Sequence, residues 1–458
     1  MLQKAASTEA AGTQTRLARI ADICASIEVP EGTAADRVRS AGTDLMACVL
    51  AGASHPFSRK TRAALQTYQG TAPVFGAGVK LPAPFAALCN AIAGHAFEFD
   101  DWEEPGNTHP SVVMFPALWA LAAERGASGG DLARAYATGF EVIVCLGKGL
   151  NYEHYNKGWH STATLGVIGA AAACARLLRL LPEQTAHAMS LAITQASGYT
   201  CQFGSGAKPL QAGFPARDGL MAAQLAEQGM TGQPGALDGE TGFAGLMASG
   251  DLAKLDRAIA DCRGTALQDW GIVQKPYPSC GYTHRLVDCG RELSGRIDPS
   301  DIVQVRAELP DFHAAILPYD RPQTRSEALF SIPFCVATAL LRGGLSLSDL
   351  EEEARCRPDL LALIEKVEVV PHAPARPQMN YDPEQPDRLT VILKNHDHQT
   401  ASCAYPTGAP QNPMSDTDIR RKFETAAPKT PSRVLDALMR WDQANDINTV
   451  LEPFGDIR

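Results

Sequence analysis

Residues 162–178 read TATLGVIGAAAACARLL, and this stretch decides the class of the fold. Alanine, glycine and leucine dominate it, and Arg176 is its only charged residue. Such a segment predicts a buried α-helix whose small side chains let neighbouring helices approach closely. Its most apolar part, residues 163–174, is too short to cross a membrane.

Similar segments surround this one, with turn signals between them. We predict further helices over residues 35–51, 83–99, 112–125, 130–148 and 182–197. They follow one another without strand-like alternation, which predicts a large all-helical domain over residues 1–270.

The pattern changes after Lys275, where apolar residues alternate with period two in three places. We predict strands over residues 303–309, 364–370 and 389–393, helices over 284–294 and 327–342, and a proline-rich loop over 371–387. Helical patterns return at 416–426 and 431–444. The predicted fold is therefore mainly α: a helical domain of residues 1–270, completed by 401–458, and a smaller α+β lid domain of residues 271–400.

Length and charge narrow the class of partner. A chain of 458 residues predicts two domains, and a formal net charge of −10 argues against a nucleic-acid partner. The segment Met1–Thr15 lacks the basic start and continuous apolar stretch of a secretory signal. We therefore expect a cytoplasmic protein that binds neither nucleic acid nor membrane.

The cysteines indicate no metal centre. There are twelve, without a CxxC pair or a tight cluster, so neither a zinc site nor an iron–sulfur site is expected. We expect most of these cysteines to be buried as small hydrophobic side chains in a reducing cytoplasm.

An acidic run follows the helix predicted over residues 83–99. Its carboxylates are Glu98, Asp100, Asp101, Glu103 and Glu104, and His109 comes shortly after. Carboxylates beside a histidine are typical of a metal site or of proton transfer between groups whose pKa values are pushed apart. A solvated helix end is the alternative.

Two histidines stand directly before apolar helices, His109 before Pro110-Ser111 and His160 before Ser161-Thr162. Helix N-termini favour a bound anion and a neutral imidazole that acts as a base. A helix cap or a core position is the alternative for each.

Two more stretches carry candidate groups. Lys208 follows the glycine-rich Gly204-Ser205-Gly206 and suits a carboxylate, with an ordinary exposed lysine as the alternative. After Pro276-Tyr277-Pro278, an extended segment presents three candidates at the predicted domain junction: Cys280, His284 and Arg285. A buried structural thiol is the alternative for Cys280.

Four blocks of sequence together resemble the MmgE/PrpD family, and further echoes extend the resemblance over nearly the whole chain. The blocks are residues 94–101 with 108–111, residues 158–160 with 164–166, residues 207–210, and residues 275–278 with His284. The family often has a histidine directly after the Lys-Pro-Leu motif of residues 208–210, and this chain has Gln211 there.

The resemblance implies a homodimer with an active site between its two domains and without metal or organic cofactor. It implies a site that includes Asp100 or Glu98, together with His109, His160, Lys208 and His284. From the residues and the resemblance together, we expect catalytic roles for Asp100, His109, His160, Lys208, Cys280 and His284, and substrate contacts for Glu98, Asp101, Gln211 and Arg285.

The function implied is that of a lyase that removes a proton next to a carboxylate of a small polycarboxylate, as a 2-methylcitrate dehydratase or a cis-aconitate decarboxylase does. Three alternatives stay open. One is an epimerase of a dicarboxylate such as iminodisuccinate, with Cys280 and His284 facing His160. The others are a carboxylate-binding protein without turnover, and a metal-dependent hydrolase that uses Asp100, Asp101, Glu104 and His109.

Overall fold

The computed structural model describes residues 14–377 and 379–457, so most of the segment Met1–Thr15, used above to predict the absence of a secretory signal, lies outside the described residues. Within the described residues, helices greatly outnumber strands, which confirms the mainly α prediction. No helix in this part of the chain combines the length and apolarity that a membrane span requires.

The first region, residues 14–270, is built from helices and one short hairpin. Its helices are α1 (Arg16–Ser26), α2 (Gly32–Gly52), α3 (Pro56–Ala64), α4 (Ala83–His95), α5 (Pro110–Arg125), α6 (Gly129–Leu150), α7 (Glu153–Asn156), α8 (Ser161–Leu177), α9 (Pro182–Ile193), α10 (Ala207–Glu227), α11 (Phe243–Met247), α12 (Leu252–Asp261) and α13 (Ala266–Asp269). Strands β1 (Ala72–Val74) and β2 (Val79–Leu81) pair antiparallel.

Helices α4, α5, α6, α8 and α10 pack side by side at the centre of this region. The contact between α6 and α8 depends on Gly139 and Gly169. A methyl group on Gly139 would lie 2.6 Å from the carbonyl oxygen of Gly169 and 2.4 Å from Met114 Sδ. The small residues therefore allow the close helix packing that the sequence predicts.

The second region, residues 271–403, combines a sheet with helices. Its elements are α14 (His284–Ser294), β3 (Ile302–Pro310), α15 (Asp311–Ile316), α16 (Arg325–Ala328), α17 (Ile332–Arg342), α18 (Glu352–Arg355), α19 (Pro358–Ile364), β4 (Val367–His372), β5 (Asp387–Leu393) and β6 (His398–Cys403). The sheet order is β4-β3-β5-β6, in which only β3 and β4 run parallel.

Three details differ from the sequence prediction. The helix predicted over 327–342 breaks into α16 and α17, because the Ser331 hydroxyl accepts a hydrogen bond from Phe334 N (3.2 Å) and begins a new helix. Ile364 ends α19, so β4 starts only at Val367. Strand β6 was not predicted, and it extends the sheet to Cys403, beyond the boundary predicted at residue 400.

The last segment returns to the first region. It contains α20 (Asp416–Ala426), α21 (Ser432–Leu438) and α22 (Asn448–Leu451). Helix α20 packs against α2, and the buried Trp441 donates a hydrogen bond to Arg39 O (2.9 Å). The chain thus places α20 against the helical region.

We predict that Gly139→Ala lowers the free energy of unfolding by about 2 kcal/mol, because the added methyl group overpacks the contact between α6 and α8. Gly130→Ala, near the start of α6, is the matched control, since its methyl group meets nothing closer than 3.9 Å. The control variant should be neutral or slightly stabilised. Chemical denaturation measures both, and equal stability of the two variants would contradict the packing argument.

Candidate active site

A small cavity lies where the helical region meets the second region. It measures ≈ 40 Å³, which is room for about three water molecules. Its lining comprises Glu98, Trp102, Asn107, His109, Tyr155, His160, Phe203, Lys208, Lys275, Cys280, Gly281, Tyr282, Ile316 and Phe330. Charged and titratable groups thus share the cavity with an aromatic wall.

The turn after α4 carries the acidic side chains. Glu98 has a positive φ of 51°, an uncommon backbone conformation for a residue with a side chain. Beyond the turn, Trp102 exchanges two backbone hydrogen bonds with Val273, of 3.0 and 2.8 Å. The turn is therefore joined to the chain segment that leads into the second region.

Glu98 lies at the centre of the charged groups. Its carboxylate forms a close ion pair with Lys208, and its oxygens lie 3.4 Å from Lys275 Nζ and 3.2 Å from His95 Nε2. Burial opposes ionisation of Glu98, but Lys208, Lys275 and the imidazoles hold its pKa well below the usual range. Glu98 is accordingly an anion between two buried cations.

Asp100 lies behind the cavity and contacts two histidines. Its carboxylate is 2.8 Å from His95 Nδ1 and 3.2 Å from His109 Nδ1. His109 Nδ1 also lies 2.8 Å from the carbonyl oxygen of Asp101, an acceptor that requires a proton on Nδ1. This tautomer leaves His109 Nε2 unprotonated on the cavity side, and burial lowers the pKa of His109 to about 4.

His160 is held in a similar way by an amide. Gln211 donates from Nε2 to Tyr199 O (3.1 Å), which turns its Oε1 toward His160 Nδ1 at 2.9 Å. His160 Nδ1 therefore carries the proton, and Nε2 is left free. Burial holds the pKa of His160 well below its usual range, and the nearby Lys208 lowers it further. Both imidazoles stand at helix N-termini, His109 before α5 and His160 before α8, as predicted.

The two lysines approach the cavity from different elements. Lys208 comes from the first turn of α10, and its Nζ lies 2.9 Å from His95 Nε2 and 4.8 Å from the centre of the Phe203 ring. Lys275 comes from the segment before α14 and donates to the backbone carbonyl of Glu98 (3.0 Å). Both are buried, so they offer concentrated positive charge to an anion.

The second region closes the cavity with Cys280 and Tyr282. Burial, with a further contribution from Glu98, raises the pKa of the Cys280 thiol to about 11, so the thiol is protonated at neutral pH. The Tyr282 hydroxyl lies 3.1 Å from the side-chain oxygens of Asn107 and Asn380. Tyr282 thus links the acidic loop to the second region.

The structure brings together most of the residues that the sequence singled out. Glu98, His109, His160, Lys208 and Cys280 line the cavity, while Asp100 and Gln211 each contact a lining histidine from behind.

Three candidates point elsewhere. Asp101 accepts a hydrogen bond from Ser111 Oγ (2.5 Å), and burial raises its pKa to about 8. His284 Nε2 lies 3.3 Å from Ser279 O, and Arg285 forms an ion pair with Asp387. None of the three is among the residues that line the cavity.

His95 and Lys275 also reach the site, although neither was predicted from the sequence to have a role there. His95 lies three residues before Glu98, a spacing that would place both side chains on one face of the helix predicted over residues 83–99, although α4 ends at His95. That spacing could have identified His95. Lys275 offered no local signal, because only the tertiary fold brings it to Glu98.

The residues proposed for a metal-dependent hydrolase do not converge, since Asp101 binds Ser111 and Glu104 accepts from Asn380 N (3.0 Å). Among the described residues, another set is close enough for a metal: ring nitrogens of His95, His109 and His160 lie within 4.8 Å of one another. The ammonium of Lys208 adjoins this set, and its charge favours an anion there over a second cation.

Comparison with known proteins gives matches along most of the chain. The model of the MmgE/PrpD N-terminal domain matches residues 16–256, and that of the MmgE/PrpD C-terminal domain matches residues 277–440. The cis-aconitate decarboxylase of Aspergillus terreus is 28% identical, over 98% of this chain and 97% of its own. The cis-aconitate decarboxylase of Homo sapiens is 27% identical, over 83% and 78%.

A further relative, the cis-aconitate decarboxylase-like protein oryM of Aspergillus oryzae, is 27% identical over 86% of this chain and 85% of its own. These relatives carry the names of decarboxylases, which supports an enzyme of the lyase type. Because the two family models together span most of its length, the chain belongs to the MmgE/PrpD family.

Proposed function

We propose that the protein is a lyase that decarboxylates a small unsaturated polycarboxylate of the cis-aconitate type and needs no metal or organic cofactor. One observation carries the proposal: two buried ammonium groups, on Lys208 and Lys275, share a cavity with two imidazoles, His109 and His160, whose pKa values lie below their usual range. The names of the relatives support the choice of decarboxylation.

Substrate carboxylates would bind to the two ammonium groups. The N-termini of α5 and α8 add the positive ends of two helix dipoles. The aromatic rings of Phe203 and Phe330 would contact the carbon skeleton. Tyr282 and Cys280 line the cavity from the second region.

In the proposed reaction, the bond between a substrate carbon and one carboxylate breaks and CO2 leaves. The electron pair of the broken bond forms a new carbon–carbon double bond, and the π electrons of the former double bond move toward the neighbouring carboxylate, where Lys208 stabilises the developing enolate. A proton then adds to the carbon at the other end of the former double bond. In total, one substrate trianion and one proton give one product dianion and one molecule of CO2.

The proton would come from His109 or His160. In the free protein both imidazoles are neutral at pH 7, because burial holds their pKa values low. An anionic substrate raises those pKa values, since opposite charge favours the imidazolium. Substrate binding would thereby load the acid that the reaction needs.

Epimerisation is a second candidate, and the position of Cys280 favours it. Its protonated thiol lines the cavity from the second region, while His109 and His160 line it from the helical region. A base on one side of a carbon and an acid on the other is the arrangement that inversion requires.

Incubation in deuterated water separates these reactions. The protein should be supplied with cis-aconitate, 2-methylcitrate and iminodisuccinate in turn, and the products followed by NMR spectroscopy. Loss of CO2 with one deuterium incorporated supports the decarboxylase. Loss of water supports a dehydratase, and inversion with exchange supports an epimerase. Tight binding without any turnover indicates a binding protein, and stoichiometric metal in the active protein would overturn the cofactor-free proposal.

We also place the protein in the cytoplasm as a homodimer. Sedimentation velocity tests the oligomeric state, and a monomer at micromolar concentration would contradict this part of the proposal.

We predict that Lys208→Met and His160→Asn each lower kcat/KM by at least about 100-fold, because each removes one charge-stabilising or proton-transfer group. Lys429→Met, at an exposed lysine, is the matched control and should leave the rate unchanged. Circular dichroism and thermal unfolding would verify that the variants are folded. A rate within threefold of wild type in either site variant would refute its assigned role.

We further predict that binding of a polycarboxylate at pH 7 takes up protons. His109, with a pKa of about 4, is unprotonated at this pH in the free protein, and a bound anion moves its pKa upward. Calorimetric titration in two buffers of different ionisation enthalpy measures the uptake.

In the same experiment, His109→Asn should reduce the uptake. His398→Asn, at an exposed histidine, should not. Proton release on binding, or no proton change, would contradict the proposed loading of the imidazoles.

A further inference from the structure

A buried lysine outside the cavity contacts the turn that carries the acidic residues. Lys422, on α20, donates to the carbonyl oxygen of Phe99 (2.7 Å), and its Nζ lies 3.9 Å from the centre of the Phe99 ring. Its only ion-pair partner among the described residues is Asp44 on α2, at 2.7 Å. The C-terminal segment therefore reaches the peptide group between Phe99 and Asp100.

Lys422 and Lys275 act on consecutive carbonyls. Lys275 donates to the carbonyl of Glu98 (3.0 Å), and Lys422 donates to that of Phe99 (2.7 Å). Glu98 itself has a φ of 51°, a backbone conformation that is unfavourable for a residue with a side chain and persists only where surrounding contacts impose it. The ammonium groups of Lys275 and Lys422 are strong hydrogen-bond donors, so they can impose this conformation on the turn.

Burying the ion pair of Lys422 and Asp44 costs free energy of folding. Both side chains are almost fully buried, at 3% and 1% exposure, and a buried ion pair often stabilises a core less than apolar side chains of the same volume would. What an apolar side chain could not supply is a donor to Phe99 O. This contact is therefore the feature that distinguishes the charged pair from an apolar one.

We propose that Lys422, held by Asp44, is a positioning residue that fixes the turn of residues 96–101 so that Glu98 faces Lys208 and Asp100 faces His95 and His109. Lys422 does not line the cavity, so it acts through the backbone. Its effect on turnover rests on the function proposed above, whereas its effect on the turn does not.

The test removes the charged pair without leaving an unpaired buried charge. In Asp44→Asn/Lys422→Met, hydrogen-exchange mass spectrometry should show faster amide exchange in the peptide that covers residues 96–104. Arg16→Met/Asp238→Asn, which removes an ion pair remote from the cavity, is the matched control and should leave that peptide unchanged.

Turnover provides the second readout. Misplacing Glu98 and Asp100 by about 1 Å should lower kcat by about 100-fold while KM changes by less than threefold. The groups that face Glu98 are Lys208, Lys275, His95 and His109. If Glu98 moves away from the two lysines its pKa rises, so the acidic limb of the pH profile should shift to higher pH.

The two readouts separate the possible failures. Faster exchange in a protein that turns over none of the offered substrates supports the positioning role and contradicts the proposed function. Wild-type exchange, kcat and pH profile in the double variant would overturn the positioning role. If the double variant does not fold, Asp44→Leu/Lys422→Met, an apolar pair that likewise lacks a donor to Phe99 O, decides the question by the same measurements. Wild-type values in that variant would then overturn the role, and faster exchange with lower kcat would support it.

Discussion

The buried carboxylate of Glu98 is the group around which the site is assembled. A carboxylate removed from water is stable as an anion only if cations and donors surround it. Here the cations come from α10 and from the segment before α14, so the two regions of the chain meet at this charge. Loss of either lysine would leave an unbalanced charge where the cavity forms.

The same electrostatics determine the protonation of the histidines. Asp100 is held as an anion by His95 and His109, while burial keeps His109 and His160 neutral at pH 7. Backbone and amide acceptors fix the proton of each imidazole on Nδ1, so both Nε2 atoms remain available. A cavity with fixed cations and neutral bases suits an anionic substrate better than a neutral one.

Local sequence predicted part of this site, for identifiable reasons. His109 and His160 were found because a histidine before an apolar helix has a defined place at the helix N-terminus. Lys208 was found because a single cation in a glycine-rich loop suits an anion. His284 and Arg285 share the first turn of α14 yet point away from the cavity, and their neighbours in sequence gave no indication of that direction.

The sequence by itself determined the helical class, most helix positions and the two histidine caps, because these depend on local periodicity and on the residues at helix ends. Only the tertiary structure decided which carboxylates of the acidic run face the cavity. Glu98 adopts a positive φ and turns toward Lys208 and Lys275, whereas Asp101 turns to Ser111. Those directions depend on side chains distant in sequence, including Lys422 from the C-terminal segment, whose electrostatic and hydrogen-bond energies exist only once the chain has folded.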